Sequence, residues 1–557
     1  MCRPRLRRAI VRRWEATVTA RRVGDAIVDV LRSASVDTVF GIPGLHTLPL
    51  YDALAGAPSI RHILTRHEQG AAFAADGYAR VTGRPGVLST TTGPGTFNTL
   101  AALAEAWSDS SPVVLLAGQI DSALDGAGRG VLHETPDQGR SFEAVTAFVG
   151  RPRTAEDMPV AVAEALRCSM TGRRRPAYVE LPTDLLGAPH EAPAPTVTFP
   201  GVVAPDPASI LDAARLLRGA GRIVILAGAG VHRAGATAEL RALAVRLGAP
   251  VATAITGAGS IPADDDWWAG ALVPGRPEWR ALFGEADAVV VVGCRLDDVG
   301  TARWTLPLPQ LVQIDIDRAV IGRAYPATAG IVGDARQALH ALLDELPSGA
   351  DARAPERGWG LARARAMREA VQAGVAPDQR GVRDAFLAAR AALPRDAILT
   401  HDAARLNAWT GYFWPVYEPD GSIFPWGSAT LGFALGTANG AAVAAPGRRV
   451  VAACGDGGFL FTATELATAV AHDLDVTVLV HDDAAFGSIA DYQMRFHGRS
   501  YATDLRNPDL VAFARSFGLP AERVEDVADL PAAMARATAG PGPSAVILSA
   551  PLGQPWR

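Results

Sequence analysis

The chain has 557 residues, of which 49% are hydrophobic and 20% charged, the composition of a globular protein long enough for several domains. Its formal net charge of -5 excludes a chain-wide electrostatic footprint for nucleic acid or an anionic membrane surface. No stretch approaches the roughly 20 consecutive apolar residues that span a bilayer. We therefore expect a small-molecule partner, with no nucleic acid and no membrane.

Two residue types narrow the chemistry further. The four cysteines, at positions 2, 168, 294 and 454, form no C-x-x-C pair, which argues against a zinc site or a redox couple and fits a cytoplasmic location. Arg is the basic residue throughout, and the chain contains no Lys. Schiff-base catalysis and a P-loop lysine are therefore excluded.

The organisation along the chain predicts α/β architecture with three doubly wound parallel-sheet domains. Apolar strand-like runs end in Gly-rich turns and precede amphipathic helical stretches in each domain. Pro-rich or Ala-rich stretches at residues 187–207 and near 347–357 separate them. We expect an Arg-rich extension at 1–18, solvated or, alternatively, a nucleic-acid or membrane patch, and domains at 19–190, 205–346 and 360–557.

Nine short apolar runs are predicted to be buried parallel strands. They lie at residues 38–40, 86–88, 112–116, 177–181, 222–226, 288–292, 311–315, 449–453 and 476–480. Gly228-Ala229-Gly230 follows one of these runs, but the rest of a dinucleotide-binding fingerprint is missing. A tight structural turn is the favoured interpretation there, and a Rossmann-type dehydrogenase is the weaker alternative.

The last domain carries a candidate site for a metal and a phosphate group. The run 449–453 leads into Gly455-Asp456-Gly457-Gly458, where Gly residues would let backbone amides approach a phosphate and Asp456 could ligate Mg²⁺. The next predicted strand ends in Asp482-Asp483, which brings further oxygen ligands to the same sheet edge. Gly-Asp-Gly alone could equally be a turn, so the second loop strengthens the interpretation.

The order Gly-Asp-Gly, helix, strand, polar pair resembles the thiamine diphosphate-binding motif. The family's polar pair is Asn-Asn, so the Asp pair keeps the oxygen ligand but adds negative charge, which we expect to alter Mg²⁺ affinity. The resemblance implies metal ligation by Asp456, Asp483 and the carbonyl group of Ala485, and cofactor contacts from Gly455, Gly457, Gly458 and Phe486.

The first domain carries motifs that support the same resemblance. Residues 66–80 resemble the family's activating-glutamate helix, and Glu68 takes the position of the carboxylate that exchanges a proton with the cofactor's aminopyrimidine. The turns with Pro43, Gly44 and Asn98 resemble cofactor-facing turns. Leu431 matches the apolar side chain under the bent cofactor. A structural carboxylate and a core leucine are the alternative interpretations.

The resemblance covers nearly the whole chain from about residue 19 and is to acetolactate synthases and related 2-oxo acid decarboxylases. It implies thiamine diphosphate and Mg²⁺ as cofactors, a small 2-oxo acid as substrate, and a homodimer or homotetramer. FAD, which acetolactate synthases bind in the middle domain, is left open but not expected.

The sequence leaves the fate of the reaction open after CO₂ leaves. Gln119 matches a glutamine near the second substrate of acetolactate synthases, which favours carbon-carbon bond formation. His133, in Leu132-His133-Glu134, could instead be a proton relay of a decarboxylase or a solvated loop residue. The Asp482-Asp483 change motivates another alternative, a non-catalytic thiamine diphosphate-binding paralogue that acts as a scaffold or regulatory subunit.

Overall fold

The computed structural model describes residues 21–347 and 354–556, so the predicted extension at 1–18 lies outside the described residues. The described residues form three six-stranded sheets, and all their strand pairs are parallel. The three doubly wound α/β sheets predicted from the sequence are confirmed. Packing divides the chain into two compact units, one with residues up to 76 and 84–200, the other with 77–83 and 201–557.

The first sheet has the strand order β2-β1-β3-β4-β6-β5. Its strands are β1 Thr38–Gly41, β2 Arg61–Leu64, β3 Gly86–Thr90, β4 Val113–Gln119, β5 Phe148–Gly150 and β6 Ala177–Pro182. The helices of this part of the chain are Val23–Ser33, Leu48–Ala55, Glu68–Thr82, Pro94–Phe97, Leu100–Ser108, Asp157–Ser169 and Thr183–Leu186. Helix Val23–Ser33 shows why they pack: Val23, Ile27, Val30 and Leu31 recur at helical spacing and are all buried.

The second sheet has the strand order β12-β11-β10-β7-β8-β9. Its strands are β7 Ile223–Ala227, β8 Val251–Thr253, β9 Trp268–Ala271, β10 Ala288–Val292, β11 Leu311–Asp315 and β12 Ala329–Val332. The surrounding helices are Pro207–Gly219, Ala229–Arg233, Thr237–Leu247, Pro277–Gly284 and Ala335–Glu345. The first of these begins where the linker ends, because Asp206 caps it by accepting from the Ser209 amide and proline occupies its first turn.

The third sheet has the strand order β14-β13-β15-β16-β18-β17. Its strands are β13 Ile398–His401, β14 Ser422–Ile423, β15 Val450–Gly455, β16 Val476–His481, β17 Ala521–Val524 and β18 Ser544–Leu548. The helices of this part are Arg380–Ala391, Asn407–Thr410, Phe433–Ala444, Asp456–Thr462, Leu466–Ala471, Gly487–His497, Leu510–Ser516 and Leu530–Thr538. All nine predicted strands are present in the three sheets, with ends shifted by up to a few residues.

The expected start of the last domain, at residue 360, falls inside helix Ala354–Ala373, which packs on strand β9 of the second sheet. The contact is close: a Cβ atom at Gly360 would lie 2.1 Å from the carbonyl oxygen of Gly248. This helix therefore continues the second sheet's packing beyond the predicted linker. No helix among the described residues is long and apolar enough to cross a membrane.

Candidate active site

The predicted site residues lie at the carboxyl edges of the first and third sheets, where the loops of a parallel sheet collect functional groups. Glu68 is the first residue of helix Glu68–Thr82 and is half-buried. Its Oε2 atom accepts a hydrogen bond of 2.9 Å from Nδ2 of Asn98, so the structure brings these two predicted residues together. A Cβ atom at Gly95 would lie 3.2 Å from Oε1, so this oxygen lies directly beside a glycine.

Pro43 and Gly44 lie in the turn after strand β1, next to the turn after β3. A Cβ atom at Gly44 would lie 2.4 Å from the Cβ of Thr91, so glycine is required for the two turns to approach each other. Burial raises the pKa of Tyr51, and the nearby Glu68 carboxylate raises it further.

Gln119 ends strand β4 and belongs to a buried network of neutral hydrogen bonds. Its Oε1 accepts from the backbone amide of Ile120 at 2.9 Å and from the Thr92 hydroxyl at 3.2 Å. Because an amide N–H can only donate, the side-chain oxygen must face Ile120, and the Gln119 NH₂ group is directed elsewhere.

Gln138 is the centre of that network. Its Oε1 accepts from the Gly93 amide at 2.6 Å and from the Thr92 hydroxyl at 2.9 Å, and its Nε2 donates to the Gly118 carbonyl at 3.1 Å and to the Tyr178 hydroxyl at 2.8 Å. One buried side chain thus joins the turn after β3 to strands β4 and β6.

His133 lies in a loop that docks on the Gly93 turn. Its backbone has φ of 66°, a left-handed conformation that is uncommon for a residue with a side chain. Its Nδ1 atom is buried without a hydrogen-bond partner among the described residues, and its ring centroid lies 5.5 Å from that of His46. Burial lowers the pKa of His46, and His133 lowers it further. Glu134 organises this loop by accepting from the amides of Gly128, Gly130 and Val131.

Asp456 follows strand β15 at the edge of the third sheet and is buried. Its Oδ1 accepts from the Gly457 amide at 2.8 Å, and its Oδ2 accepts from Nδ2 of Asn507 at 2.7 Å. The same Asn507 nitrogen donates to Oδ1 of Asp482 at 3.0 Å. Burial raises the pKa of Asp456, and Asp483 and Asp482 raise it further by charge repulsion.

Asp483 follows strand β16 and forms an ion pair with Arg405, whose Nη1 lies 2.5 Å from its Oδ2. Burial raises the pKa of Asp483, while Arg405 acts against that shift. The two metal-binding carboxylates predicted from the sequence, Asp456 and Asp483, therefore lie near each other at one edge.

Ala485 has a backbone suited to ligation. On either side of it, the Phe486 amide donates to the Thr503 carbonyl at 2.8 Å, and the Leu505 amide donates to the Ala484 carbonyl at 2.7 Å. Ala485 and Asp504 are therefore opposite each other in a short antiparallel bridge, at a position where the two residues exchange no backbone hydrogen bond. The carbonyl oxygen of Ala485 is thus not used by the bridge.

The glycines of the Gly-Asp-Gly turn have a packing role that the sequence analysis did not foresee. A Cβ atom would lie 2.5 Å from Cε1 of Phe486 if placed at Gly457, and 2.2 Å from Oδ2 of Asp402 if placed at Gly458. A Cβ atom at Gly455 would lie 3.1 Å from the Cβ of Ala404. The ring of Phe486 thus lies against the turn, and Leu431 is half-buried just before Gly432, whose positive φ precedes helix Phe433–Ala444.

The donor set fits Mg²⁺ in its chemistry. Two carboxylates and a carbonyl oxygen are hard ligands, and protein-bound Mg²⁺ is usually held by one or two carboxylates, substrate phosphates and waters rather than by a complete protein cage. The described part of the chain contains no group of three or more His, Cys, Asp or Glu residues arranged to hold a metal by themselves.

The Gly228-Ala229-Gly230 turn of the second sheet is explained by packing. A Cβ atom at Gly228 would lie 2.4 Å from the carbonyl oxygen of Gly293, and one at Gly230 would lie 2.5 Å from its Cα. These glycines let two turns of neighbouring strands touch, which supports the structural interpretation favoured from the sequence.

Four site residues were not singled out from the sequence: Gln138, Asp402, Asn507 and Arg523. Asp402 is buried, its Oδ1 accepts from the Phe433 amide at 2.9 Å, and its Oδ2 has no partner among the described residues. Burial raises the pKa of Asp402 to about 7. Only its position after an apolar run, at the end of β13, could have marked it as an edge residue.

Comparisons with known proteins agree with this geometry. Family models match residues 21–141 (thiamine pyrophosphate enzyme, N-terminal TPP binding domain), 210–342 (central domain) and 402–548 (C-terminal TPP binding domain). The chain is 40% identical over 523 residues to the probable 2-ketoarginine decarboxylase AruI of Pseudomonas aeruginosa, covering 93% of this chain and 91% of that protein. It is 34% identical over 520 residues to a probable acetolactate synthase large subunit of Methanocaldococcus jannaschii, covering 90% and 87%.

The fold also matches a solved structure. An X-ray structure assigned to a thiamin diphosphate-dependent enzyme from Mycobacterium smegmatis superposes with a TM-score of 0.80 at 24% identity, covering 96% of this chain and 100% of that one.

Proposed function

Since the chain belongs to the thiamine pyrophosphate enzyme family, as a thiamine diphosphate-dependent enzyme that cleaves 2-oxo acids, we propose that it decarboxylates a 2-oxo acid with a long cationic side chain and releases the aldehyde. The cationic substrate class is inferred from the relative named for 2-ketoarginine, which is 40% identical over 93% of this chain. The main structural support for a catalytic role of Glu68 is the hydrogen bond that its carboxylate accepts from Asn98.

The proposed reaction balances without an oxidant. The bond between C1 and C2 of the 2-oxo acid breaks, CO₂ leaves, and one proton is added to the former keto carbon to give the aldehyde. The chemistry that thiamine diphosphate supplies when bound is a carbon nucleophile and a sink for the electrons of the broken bond.

Three side chains of the first-sheet edge have proposed roles in moving protons and orienting the substrate. Asn98 occupies Oε2 of Glu68, so Oε1 is the atom at which Glu68 holds and exchanges a proton. We assign to His133, whose buried Nδ1 has no hydrogen-bond partner among the described residues, the delivery of the proton that completes the aldehyde. The NH₂ group of Gln119, whose oxygen is occupied by Ile120 and Thr92, is a donor for a substrate oxygen.

The third-sheet edge is the proposed site for Mg²⁺ and the diphosphate. Asp456, Asp483 and the Ala485 carbonyl would hold the metal, with support from their oxygen chemistry and from the carbonyl that the ladder leaves out. We assign the remaining cofactor contacts to Pro43, Gly44, Asn98, Leu431, Gly455, Gly457, Gly458 and Phe486.

We also infer a homodimer or homotetramer. Large apolar side chains are exposed in both units, on helix Gly487–His497 at Ile489, Tyr492 and Phe496, and in the first unit at Leu45 and Leu132. Clusters of this kind are typical of surfaces covered by a partner.

The domain limits 19–190, 205–346 and 360–557 stay proposals, and we do not expect FAD. The described cysteines are free thiols, which supports a cytoplasmic location.

Carboligation as in acetolactate synthases is the second candidate, favoured by Gln119. The non-catalytic alternative has no support among the relatives, because those named above carry the names of enzymes. A panel of 2-oxo acids, incubated with protein, thiamine diphosphate and Mg²⁺, separates the two reactions by mass spectrometry of the products. We expect an aldehyde from the cationic substrate, and loss of CO₂ release with Glu68→Gln. A 2-hydroxyketone as main product would replace the proposal with carboligation.

A further inference from the structure

Asp482 and Asp483 are each paired with an arginine, and we propose that Arg405 and Arg523 are positioning residues that offset part of the negative charge of this edge so that it can accept a metal-bound diphosphate. The inference rests on the proposed placement of Mg²⁺ and the diphosphate at this edge. Arg405 is shared between Asp483 and Asp491, and Arg523 is shared between Asp482 and Asp509. Each arginine therefore offsets one of two carboxylate charges, which lowers the repulsion that bare carboxylates would exert on a phosphate.

The pair of Arg405 with Asp483 is built into the fold. Nη1 of Arg405 lies 2.5 Å from Asp483, while Nη2 lies 2.8 Å from Oδ1 of Asp491 and donates to the Gly487 carbonyl at 3.0 Å. Side-chain exposure is 19% for Arg405 and 14% for Asp483, so solvent screens the pair only in part.

Gly487 shows independently that the fold makes room for this pair. A Cβ atom at position 487 would lie 2.5 Å from Oδ2 of Asp483 and 2.8 Å from Cζ of Arg405. Any side chain there would displace one partner. The helix that begins at Gly487 therefore starts with the residue that the ion pair requires.

Arg523 holds the second aspartate from a different strand. Its Nη1 lies 3.2 Å from Oδ2 of Asp482 and donates to the Ser549 hydroxyl at 2.6 Å, and its Nη2 lies 3.1 Å from Oδ1 of Asp509. Among the described residues no arginine lies within ion-pair distance of Asp456, which instead accepts from Asn507 and Gly457. Of the three aspartates at this edge, Asp456 is thus the one without an arginine partner among the described residues.

This arrangement predicts opposite effects on two binding equilibria. Removing the Arg405 charge frees Asp483 for Mg²⁺ but leaves an uncompensated carboxylate beside the diphosphate. Thiamine diphosphate affinity should then fall while the Mg²⁺ requirement does not rise. Removing the Asp483 charge should raise thiamine diphosphate affinity and raise the Mg²⁺ requirement. A residue that only stabilises the fold would weaken both equilibria together.

A double-variant cycle tests the proposal on the full-length protein. Thiamine diphosphate affinity at saturating Mg²⁺, and the half-saturating Mg²⁺ concentration at saturating thiamine diphosphate, are measured by calorimetry for Arg405→Gln, Asp483→Asn and both together. We expect Arg405→Gln to weaken thiamine diphosphate binding about tenfold and the double variant to restore most of that loss. The same cycle on Arg523 and Asp482 should change thiamine diphosphate affinity less, because the Arg523 side chain is 32% exposed and solvent screens its charge more strongly.

The matched control is the exposed pair Arg536 and Glu522, joined at 2.7 Å, where Arg536→Gln should leave both equilibria unchanged. If Arg405→Gln fails to fold, Arg405→Lys replaces it, and this variant must keep most of the affinity because it keeps the charge. Unchanged affinity in Arg405→Gln, or a double variant as weak as that single variant, overturns the proposal. If Asp456→Asn leaves binding intact, the proposed site itself is wrong; if Asp456→Asn abolishes binding while the cycle shows no rescue, only this inference fails.

Discussion

The edges of the first and third sheets hold their polar groups by different physical means. At the first edge, Gln138, Thr92 and Gln119 are joined by neutral hydrogen bonds, and Glu68 receives a hydrogen bond from an amide. At the third edge, three aspartates in positions 456, 482 and 483 lie among arginines and an asparagine.

This difference suits the two ends of the proposed cofactor. Glu68, which accepts a hydrogen bond from the neutral Asn98 amide, is the proposed partner for proton exchange with the cofactor ring. A metal-bound diphosphate requires charged groups of both signs instead, and the third edge supplies them as aspartates and arginines. The first edge should therefore control the chemical step, and the third edge the binding of the cofactor.

Glu68→Gln is the change with the largest expected effect on this comparison. Glutamine keeps the oxygen that accepts from Asn98 but cannot exchange a proton, so turnover should fall by about 10²–10⁴-fold. Thiamine diphosphate affinity should stay close to that of the parent protein. Steady-state rates and calorimetry check both, with the exposed Glu191→Gln as the matched control. Retained turnover would remove Glu68 from the chemistry.

Asp456→Asn should give the opposite pattern. The amide is a weaker Mg²⁺ ligand than the carboxylate, so we expect about a 100-fold rise in the Mg²⁺ concentration needed for cofactor binding. At very high Mg²⁺ the turnover rate should recover, because the first edge is intact. An unchanged Mg²⁺ requirement would show that the metal binds elsewhere.

Gln138→Leu tests the neutral network of the first edge. The change leaves the Gly93 amide and the Tyr178 hydroxyl without their partner, which should lower the free energy of unfolding by about 1–3 kcal/mol. Urea unfolding measures the shift. Gln337→Leu, on an exposed helix face, is the control and should have little effect. Equal stability of both variants would mean that the network contributes nothing measurable.

Asp402→Asn tests a pH dependence of the free energy of unfolding rather than its value at one pH. Burial raises the folded-state pKa of Asp402 to about 7 from the ordinary value of 3.8, so the folded state binds more protons than the unfolded state between these two pH values. Its contribution to stability is therefore present below the unfolded-state pKa and is lost as pH rises towards 7, with a slope of up to about 1.4 kcal/mol per pH unit. Asparagine cannot ionise, so its curve should lose less stability over this range. Parallel curves in urea unfolding from pH 4 to 8 would contradict the raised pKa.

The central strands were predictable because a strand buried on both faces is a continuous apolar run, as in Ala288–Val292. Edge strand Arg61–Leu64 was missed, because its largely exposed residues give no such pattern. Glu68 and Asn98, 30 positions apart, were both marked by their own motifs. Asn507 and Arg523 were not marked by any motif. Their hydrogen bond and ion pair join positions far apart in the chain, so the sequence around Gly-Asp-Gly gives no sign of them.

The stoichiometry of the reaction with 2-ketoarginine is the most direct test of the proposed decarboxylation. Protein, thiamine diphosphate and Mg²⁺ are incubated with this substrate, and CO₂ and aldehyde are quantified together, with omission of the cofactor as the blank. If the protein decarboxylates this substrate and releases the aldehyde, we expect equal amounts of CO₂ and aldehyde, and both should depend on the cofactor. Release of CO₂ without aldehyde, or no release from a protein that binds the cofactor, would contradict the proposed decarboxylation.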